Sequence, residues 1–427
     1  MWGKVMKNLA LFVKNDIKPA FGCTEPGAIA YACAKARDIV PGTIEKVEMS
    51  LNSGIFKNAL TCPIPGTPDM GKDFAAAIGA IAGDSSKGLL VIESITEEDM
   101  AKARQLLAEG KVKTDLSGID SKIYIYAKVT TDAGVGEVTV KNSHTNIVEM
   151  KKNGEVIFTN DEEAAAAAAA DDCVNNYTFR EIYDYCMNGP IEEMMFLQEA
   201  FLMDTALLDE GIEMDVVPMT KILIENNSGK RVSDDWQKNA EIASCGAIEA
   251  RLSGAAKPAM SLTGSGSHGI LAMMPVFSIG KAFGKTDEEI VRAGMLSCLT
   301  TMYIKSYSGK LSALCGCAVA GGTGSAVAIC HLLGGNFAQL CQTIDNMAAS
   351  VVGMICHGGN PGCIMKALAG IGSAIKSAQF ALKGVSIENV HAILGNTPEK
   401  TMQNMAYISS PGMELTEKYI LDIMKNK

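Results

Sequence analysis

The chain carries thirteen cysteines in 427 residues, and their surroundings divide them. Cys33, Cys62, Cys173, Cys186, Cys245, Cys298, Cys330 and Cys341 stand singly in helical or apolar stretches and read as small buried hydrophobes. Four others sit in glycine-rich, helix-breaking contexts. These are Cys315 and Cys317 in Leu314-Cys-Gly-Cys-Ala318, Cys356 in Met354-Ile-Cys-His-Gly-Gly359, and Cys363 in Asn360-Pro-Gly-Cys-Ile364. Glycine lets backbone approach a bulky group closely, and soft thiolates on such loops suit an iron–sulfur cluster or zinc. Their spacing is neither the compact ferredoxin run nor the paired spacing of a zinc ribbon. The last, Cys23, lies in Lys18-Pro-Ala-Phe-Gly-Cys-Thr-Glu-Pro26. Pro19 and Gly22 break one helix and Thr24-Glu25-Pro26 starts the next, so Cys23 falls at or just before a helix N-terminus, where the dipole favours a thiolate.

Two small turns rich in hydroxyls and imidazole accompany the thiols: Asn142-Ser-His-Thr145 and Thr263-Gly-Ser-Gly-Ser-His268. Gly-Ser-Gly turns present backbone N–H groups that can hold a carboxylate or phosphate, although ordinary turn chemistry uses the same residues. Gly321-Gly-Thr-Gly-Ser325 lacks the lysine of a Walker loop, and no G-x-G-x-x-G follows a strand in a βαβ unit, so nucleotide binding is unsupported. No lysine stands in a context that marks it as a Schiff-base residue for pyridoxal phosphate.

The elements that must position these residues change character along the chain. Residues 4–38 read as two helices, with Val5, Leu9, Phe12 and Val13 on one face of the first. Between 45 and 160 the pattern is mixed. Strands are expected at 47–51, 89–93, 122–129, 136–140 and 146–150, helices at 72–82 and 97–109, and a hairpin at Asn153-Gly154. From Asp161 the pattern is helical to the end, beginning with an alanine helix capped by acids over 161–170 that serves as a hinge. The expected fold class is α+β: an N-terminal mixed α/β module followed by a large all-α catalytic region with buried Gly-rich helices. The expected domains are 1–40, helices carrying the Gly-Cys-Thr-Glu-Pro motif and packing on the catalytic region; 41–160, an α+β domain; and 161–427, the all-α region.

Composition narrows the class of partner. Acidic residues outnumber basic ones, 48 to 38, which argues against nucleic acid. Charge is absent from 311 to 344 and again from 346 to 365, long enough for a membrane helix, but Gly, Ser, Thr, Asn, Gln and His fill the stretch and Phe337 is its one aromatic. The expectation is therefore buried helices around a polar site and no membrane. Met1-Trp2-Gly3-Lys4 does not open a secretory leader, so a cytoplasmic location with reduced thiols is expected.

Gly22-Cys-Thr-Glu-Pro26, Lys57-Asn58 with Ile64-Pro-Gly-Thr67, Ser143-His-Thr145, Thr263-Gly-Ser-Gly266, Leu314-Cys-Gly-Cys317 and the Cys356/Cys363 pair together resemble the L-cysteine desulfidase family. That family includes an uncharacterised branch related to the α chain of iron–sulfur L-serine dehydratase. The resemblance runs in order over nearly the whole chain. It implies an oxygen-sensitive [4Fe–4S] cluster held by three cysteines with one iron open, and conversion of L-cysteine to pyruvate, ammonia and hydrogen sulfide, a step of L-cysteine catabolism. Carried over, Cys23 is the proton acceptor and Cys315, Cys356 and Cys363 are the cluster ligands, with Cys317 competing for the place of Cys315. Two positions depart from the family pattern: His357 stands where Asp is usual, and Ser267 where Asn is usual.

The reading is thus a lyase independent of pyridoxal phosphate, acting on a small amino acid. Cys23 is the base, and Ser143, His144, Thr145, Ser265 and His268 are candidates for binding the substrate. A homodimer is the quaternary state to be tested. Three rivals remain: L-serine dehydratase on the same cluster, a non-catalytic thiol- or zinc-binding protein, and an inactive paralogue that keeps the fold alone, to which the His357 and Ser267 departures point.

Overall fold

The structure, a computed structural model, describes residues 8–120, 122–160 and 173–426. The expected alanine helix over 161–170, and Val5 of the first helix, lie outside the described residues. The break at Pro19–Gly22 holds: helix Ala10–Asp16 ends, Lys18–Phe21 is extended, and helix Thr24–Ile39 begins after Cys23. The short strand pairs antiparallel with Pro258–Ser261, Lys18 opposite Ser261 and Phe21 opposite Pro258. This pairing ties the Cys23 segment to the helical region some 240 residues later in the chain.

One six-stranded sheet follows. Its spatial order is Val112–Gly118, Ile44–Asn52, Tyr124–Thr131, Gly134–Lys141, Ile147–Lys152, Glu155–Thr159. The first pair is parallel and the others are antiparallel. Alternation in Tyr124–Thr131 sends Ile125, Ala127 and Val129 to a buried face. Helices Thr24–Ile39 and Lys72–Ala82 pack on that face and on each other. The Asn153-Gly154 hairpin is present, with both residues at positive φ.

Two expectations fail here. Residues 89–93, read as a strand, form the end of a 3₁₀ turn over Ser85–Leu90 and the turns after it. The run is apolar because Leu89, Val91 and Ile92 are buried, and so short an apolar run does not distinguish a strand from a buried turn. Conversely, Val112–Gly118 was not expected as a strand. It is the edge of the sheet and alternates between half-buried and exposed residues, which weakens its apolar signal.

Beyond 173 the described chain is helical apart from Pro258–Ser261. Starts are marked by capping boxes at Thr178/Glu181, Thr286/Glu289 and Asn336/Gln339. The charge-free stretch becomes a π-helical turn, Cys317–Gly321, that runs into helix Gly322–Leu332, followed by helix Phe337–Val351. Gly322–Leu332 is almost wholly buried, with Thr323 and Ser325 returning their hydroxyls to backbone carbonyls of the same segment. No helix among the described residues is long and apolar enough to cross a membrane. The helical region has its own core, distinct from that of the sheet and its helices, and Cys23 and Cys62 belong to the helical core.

Candidate active site

A cleft opens where the two cores meet. Its walls include Cys23, Cys315, Cys317, Cys356 and Cys363, so all the glycine-framed cysteines and the helix-start cysteine reach one space. Local backbone explains the convergence. Leu314 and Ile355 form an antiparallel bridge. Cys315 N–H donates to Met354 O at 2.8 Å and Cys356 N–H to Ala313 O at 2.6 Å, which sets these two cysteines diagonally across the bridge on crossing loops. Asn360 then starts helix Gly362–Leu382: its Oδ1 accepts from Gly362 N–H, and its Nδ2 donates to the carbonyls of His357 and Gly358. Cys363 rides on that first turn, and its thiol points at Gly358 O, 3.3 Å away. The loop leans on the N-terminal region through Gly359 N–H to Asn58 O at 3.2 Å.

The helix-start expectation for Cys23 holds, since it is the N-cap of Thr24–Ile39. Gly22 before it has φ +69°, and a Cβ there would overlap the Pro65 ring, so the motif needs glycine for both conformation and space. Three helices, those starting at Thr24, Gly266 and Gly362, direct their N-terminal ends to the cleft, which suits negative charge there.

The thiols are not equivalent. A hydrogen bond from Cys62 holds Cys23 below the ordinary thiol range, against the opposing effect of burial and with help from the Arg251 guanidinium. Cys62 is pushed well up, first by burial. A hydrogen bond from Cys317 brings Cys315 down to about 6, again against burial, with the N–H groups of Ala318 and Cys317 assisting. Cys317 is pushed well up as the donor of that bond. Of the two residues left open by the sequence, Cys315 is thus the more readily ionised. Cys363 is pushed up to about 12, chiefly by burial and then by the neighbouring sulfurs of Cys356 and Cys315. The Cys356 thiol reaches Asn58 Oδ1 at 3.7 Å.

Charged side chains complete the walls. Arg251, in the last turn of helix Trp236–Leu252, donates to Gly22 O at 3.1 Å and to Ser267 Oγ at 2.6 Å, leaving its buried Nε without a partner. Lys310 pairs with Asp16 at 3.6 Å. Glu25 accepts from Thr24 Oγ1 at 3.0 Å and from Asn58 Nδ2 at 2.9 Å. Lys305, near the end of helix Asp287–Ser308, is brought down to about 8, chiefly by burial. His268 is held well below its ordinary range by burial and by Lys305, so it is a neutral imidazole, and its Nδ1 shares a 2.7 Å hydrogen bond with Thr263 Oγ1.

Of the substrate-binding candidates, Ser265 and His268 line the cleft. Ser143, His144 and Thr145 are not among its lining residues. His144 lies behind it: a Cβ on Gly264 would stand 2.9 Å from His144 Cε1, the ring is buried, and burial brings it down to about 4. Of the two departures from the family pattern, Ser267 faces the cleft as the acceptor of Arg251, while His357 lines a separate hollow with Leu60, Thr61 and Ile420. Sequence reasoning passed over Cys62, Arg251 and Lys305. The residue types carried no signal at those positions, and Cys62 was counted among the inert thiols.

No group of three or more His, Cys, Asp or Glu among the described residues is drawn together tightly enough to hold a single metal ion. A four-iron cluster is wider than one ion and separates its ligands accordingly. The donor set suits such a group: soft thiols from crossing loops and one helix start, walls of Gly264, Gly316, Gly358 and Gly359, and Gly316 so close to the far wall that a Cβ there would stand 2.5 Å from His268 Nε2.

The model of the serine dehydratase alpha chain family matches residues 86–422. A UPF0597 protein of Clostridium botulinum is 38% identical over 418 residues, covering 96% of this chain and 97% of the relative. Others are 36% identical in Caldanaerobacter subterraneus, over 417 residues, and 34% identical in Parabacteroides distasonis, over 419 residues, each covering 97% of both chains. The relatives thus extend the likeness to the Cys23 segment, which lies before the matched part of the family model.

Proposed function

This chain belongs to the serine dehydratase alpha chain family, and from that premise we propose that it is an iron–sulfur lyase that eliminates the β-substituent of a small amino acid, with L-cysteine as substrate. The observation that carries the reading is the meeting of Cys315, Cys356 and Cys363 with Cys23 in one cleft. Cys315, Cys356 and Cys363 would hold a [4Fe–4S] cluster, with Cys317 supporting Cys315 as hydrogen-bond donor. Such a cluster supplies an open iron, a Lewis acid that favours departure of a thiolate or hydroxide.

The chain's own residues do the rest. Cys23, made more acidic by the Cys62 hydrogen bond and by Arg251, takes the Cα proton of the substrate as its thiolate. The electrons of the Cα–H bond form the C=C bond, and those of the Cβ–S bond leave with sulfur as hydrosulfide. The released 2-aminoacrylate tautomerises to the imine and takes up water, giving pyruvate and ammonia. Neutral His268, steadied by Thr263, and Ser265 hold the substrate's oxygens, while His144 backs Gly264 of the 263–268 turn; Ser143 and Thr145 stand beside His144 in the chain and away from the cleft wall. No step needs a lysine Schiff base.

The test is anaerobic reconstitution with iron and sulfide. Pyruvate and sulfide should form from L-cysteine in equal amounts, and Cys356→Ala should lose both bound iron and turnover. Full turnover in Cys356→Ala would refute the ligand assignment, and stoichiometric zinc in place of iron would favour a thiol-based metal-binding protein. L-Serine dehydratase is the second reading, favoured by the name of the matching family, and parallel assays on serine and cysteine separate the two.

A further inference from the structure

Two buried charges on the cleft walls form no salt bridge among the described residues: the charge on Lys305 is favoured by the Cys356 and Cys315 sulfurs, and Glu25 acts on Arg251 without pairing with it. Lys305 is 5% exposed, and its Nζ makes no hydrogen bond or ion pair among the described residues. The other two cations of the wall are engaged, Arg251 by Gly22 O and Ser267, Lys310 by Asp16. Glu25 is 7% exposed and is the one carboxylate among the described residues lining the cleft. Its oxygens accept only from the neutral donors Thr24 and Asn58, and no cation is paired with it among the described residues. Removing a charge from water without a partner is costly, so such groups usually meet an opposite charge. Here two opposite ones face the same space without pairing with each other.

From this we infer that Lys305 and Glu25 read the two poles of an α-amino acid, Lys305 the carboxylate and Glu25 the ammonium. The inference rests on the proposed lyase reading for the substrate class, and it adds the residues that distinguish an amino acid from a plain acid or amine. Thr24 and Asn58 each occupy one position on the Glu25 carboxylate, leaving lone pairs for a third donor. Asn58 also accepts from Cys356, so Glu25 is held beside the thiol wall. Lys305 stands across Gly316, where a Cβ would come within 3.2 Å of Nζ and block the approach. Both are specificity-determining residues, and neither moves a proton in the proposal.

The decisive experiment is calorimetric binding to the anaerobically reconstituted protein of L-alanine, which carries both poles and no leaving group, beside propionate and ethylamine. The unsubstituted protein should bind L-alanine about tenfold or more tightly than either fragment. Glu25→Gln should abolish the preference over propionate, and Lys305→Met the preference over ethylamine, with iron per chain unchanged. Lys305→Arg, which keeps the charge, should restore most of it. The inference is overturned if Lys305→Met loses iron while keeping the preference, for then the lysine only balances the thiolates, or if Glu25→Gln discriminates as before. Should Lys305→Met not fold, Lys305→Arg and Glu25→Gln decide alone. Alanine bound by both poles without pyruvate from cysteine would keep this inference and remove the lyase.

Discussion

The two sides of the cleft use one device in different settings. On each, one thiol donates to another and their acidities part: Cys62 to Cys23 on the N-terminal side, Cys317 to Cys315 on the other. Cys23 has a charged side chain, Arg251, as its second support. Cys315 has fixed backbone dipoles, the N–H groups of Ala318 and Cys317 at the π-helical turn. A sulfur that backbone N–H groups support beside its thiol donor sits in a fixed setting, which suits a ligand. One balanced by a side chain and by a second thiol can accept a proton and give it back, which suits a base. The proposed roles follow that difference.

The comparison breaks most visibly at the backbone-held sulfur. Cys315→Ala should abolish both iron binding and turnover, whereas Cys317→Ala, which removes only the supporting donor, should weaken metal affinity by about 10–100-fold. Iron analysis after gel filtration reads both. If the two variants behaved alike, the distinction drawn between the sulfurs would fail. Cys23→Ser should keep its iron and lose about 10²–10⁴ in kcat, the usual share of a positioned base.

Cys62→Ala sharpens the other side. Loss of its donated hydrogen bond to a charged partner should raise Cys23 toward the ordinary thiol range. The base must be deprotonated, so kcat/KM climbs as pH rises through the Cys23 value. In the variant this climb should shift to higher pH, leaving the plateau above it unchanged. A profile that does not move would show that Cys62 is mere packing. The smallest effect belongs to an isolated thiol. Cys33 is fully buried, and burial alone pushes it up to about 12. Cys33→Ala should cost about 1 kcal/mol of stability or less in a thermal melt and leave turnover intact.

Local chemistry was legible in the sequence and distant pairing was not. Glycine around Cys315, Cys356 and Cys363 and the helix start after Cys23 are written in neighbouring residues, and each was read correctly as to local setting. The alternating strands of the sheet were legible for the same reason. The edge strand Val112–Gly118 was missed because only half of its alternation is apolar, and the 89–93 run because a buried turn and a buried strand share one composition. Lys305 looks like an ordinary basic residue closing a helix, and Arg251 does too. Their importance comes from lying buried beside the cleft thiols, Lys305 by Cys356 and Cys315 and Arg251 by Cys23, which only the tertiary arrangement supplies. Cys62 gave no sign for the same reason, since its partner is Cys23, 39 positions earlier in the chain.

The loop that carries Cys356 toward Cys363 rests on the backbone of Asn58, and Lys57 beside it is locked in a buried 2.6 Å ion pair with Glu417. That loop therefore cannot settle until a segment near the beginning and a helix near the end of the described chain have come together beneath it. Damage to the Lys57–Glu417 pair would thus be felt at the thiol loop, although neither residue lines the cleft.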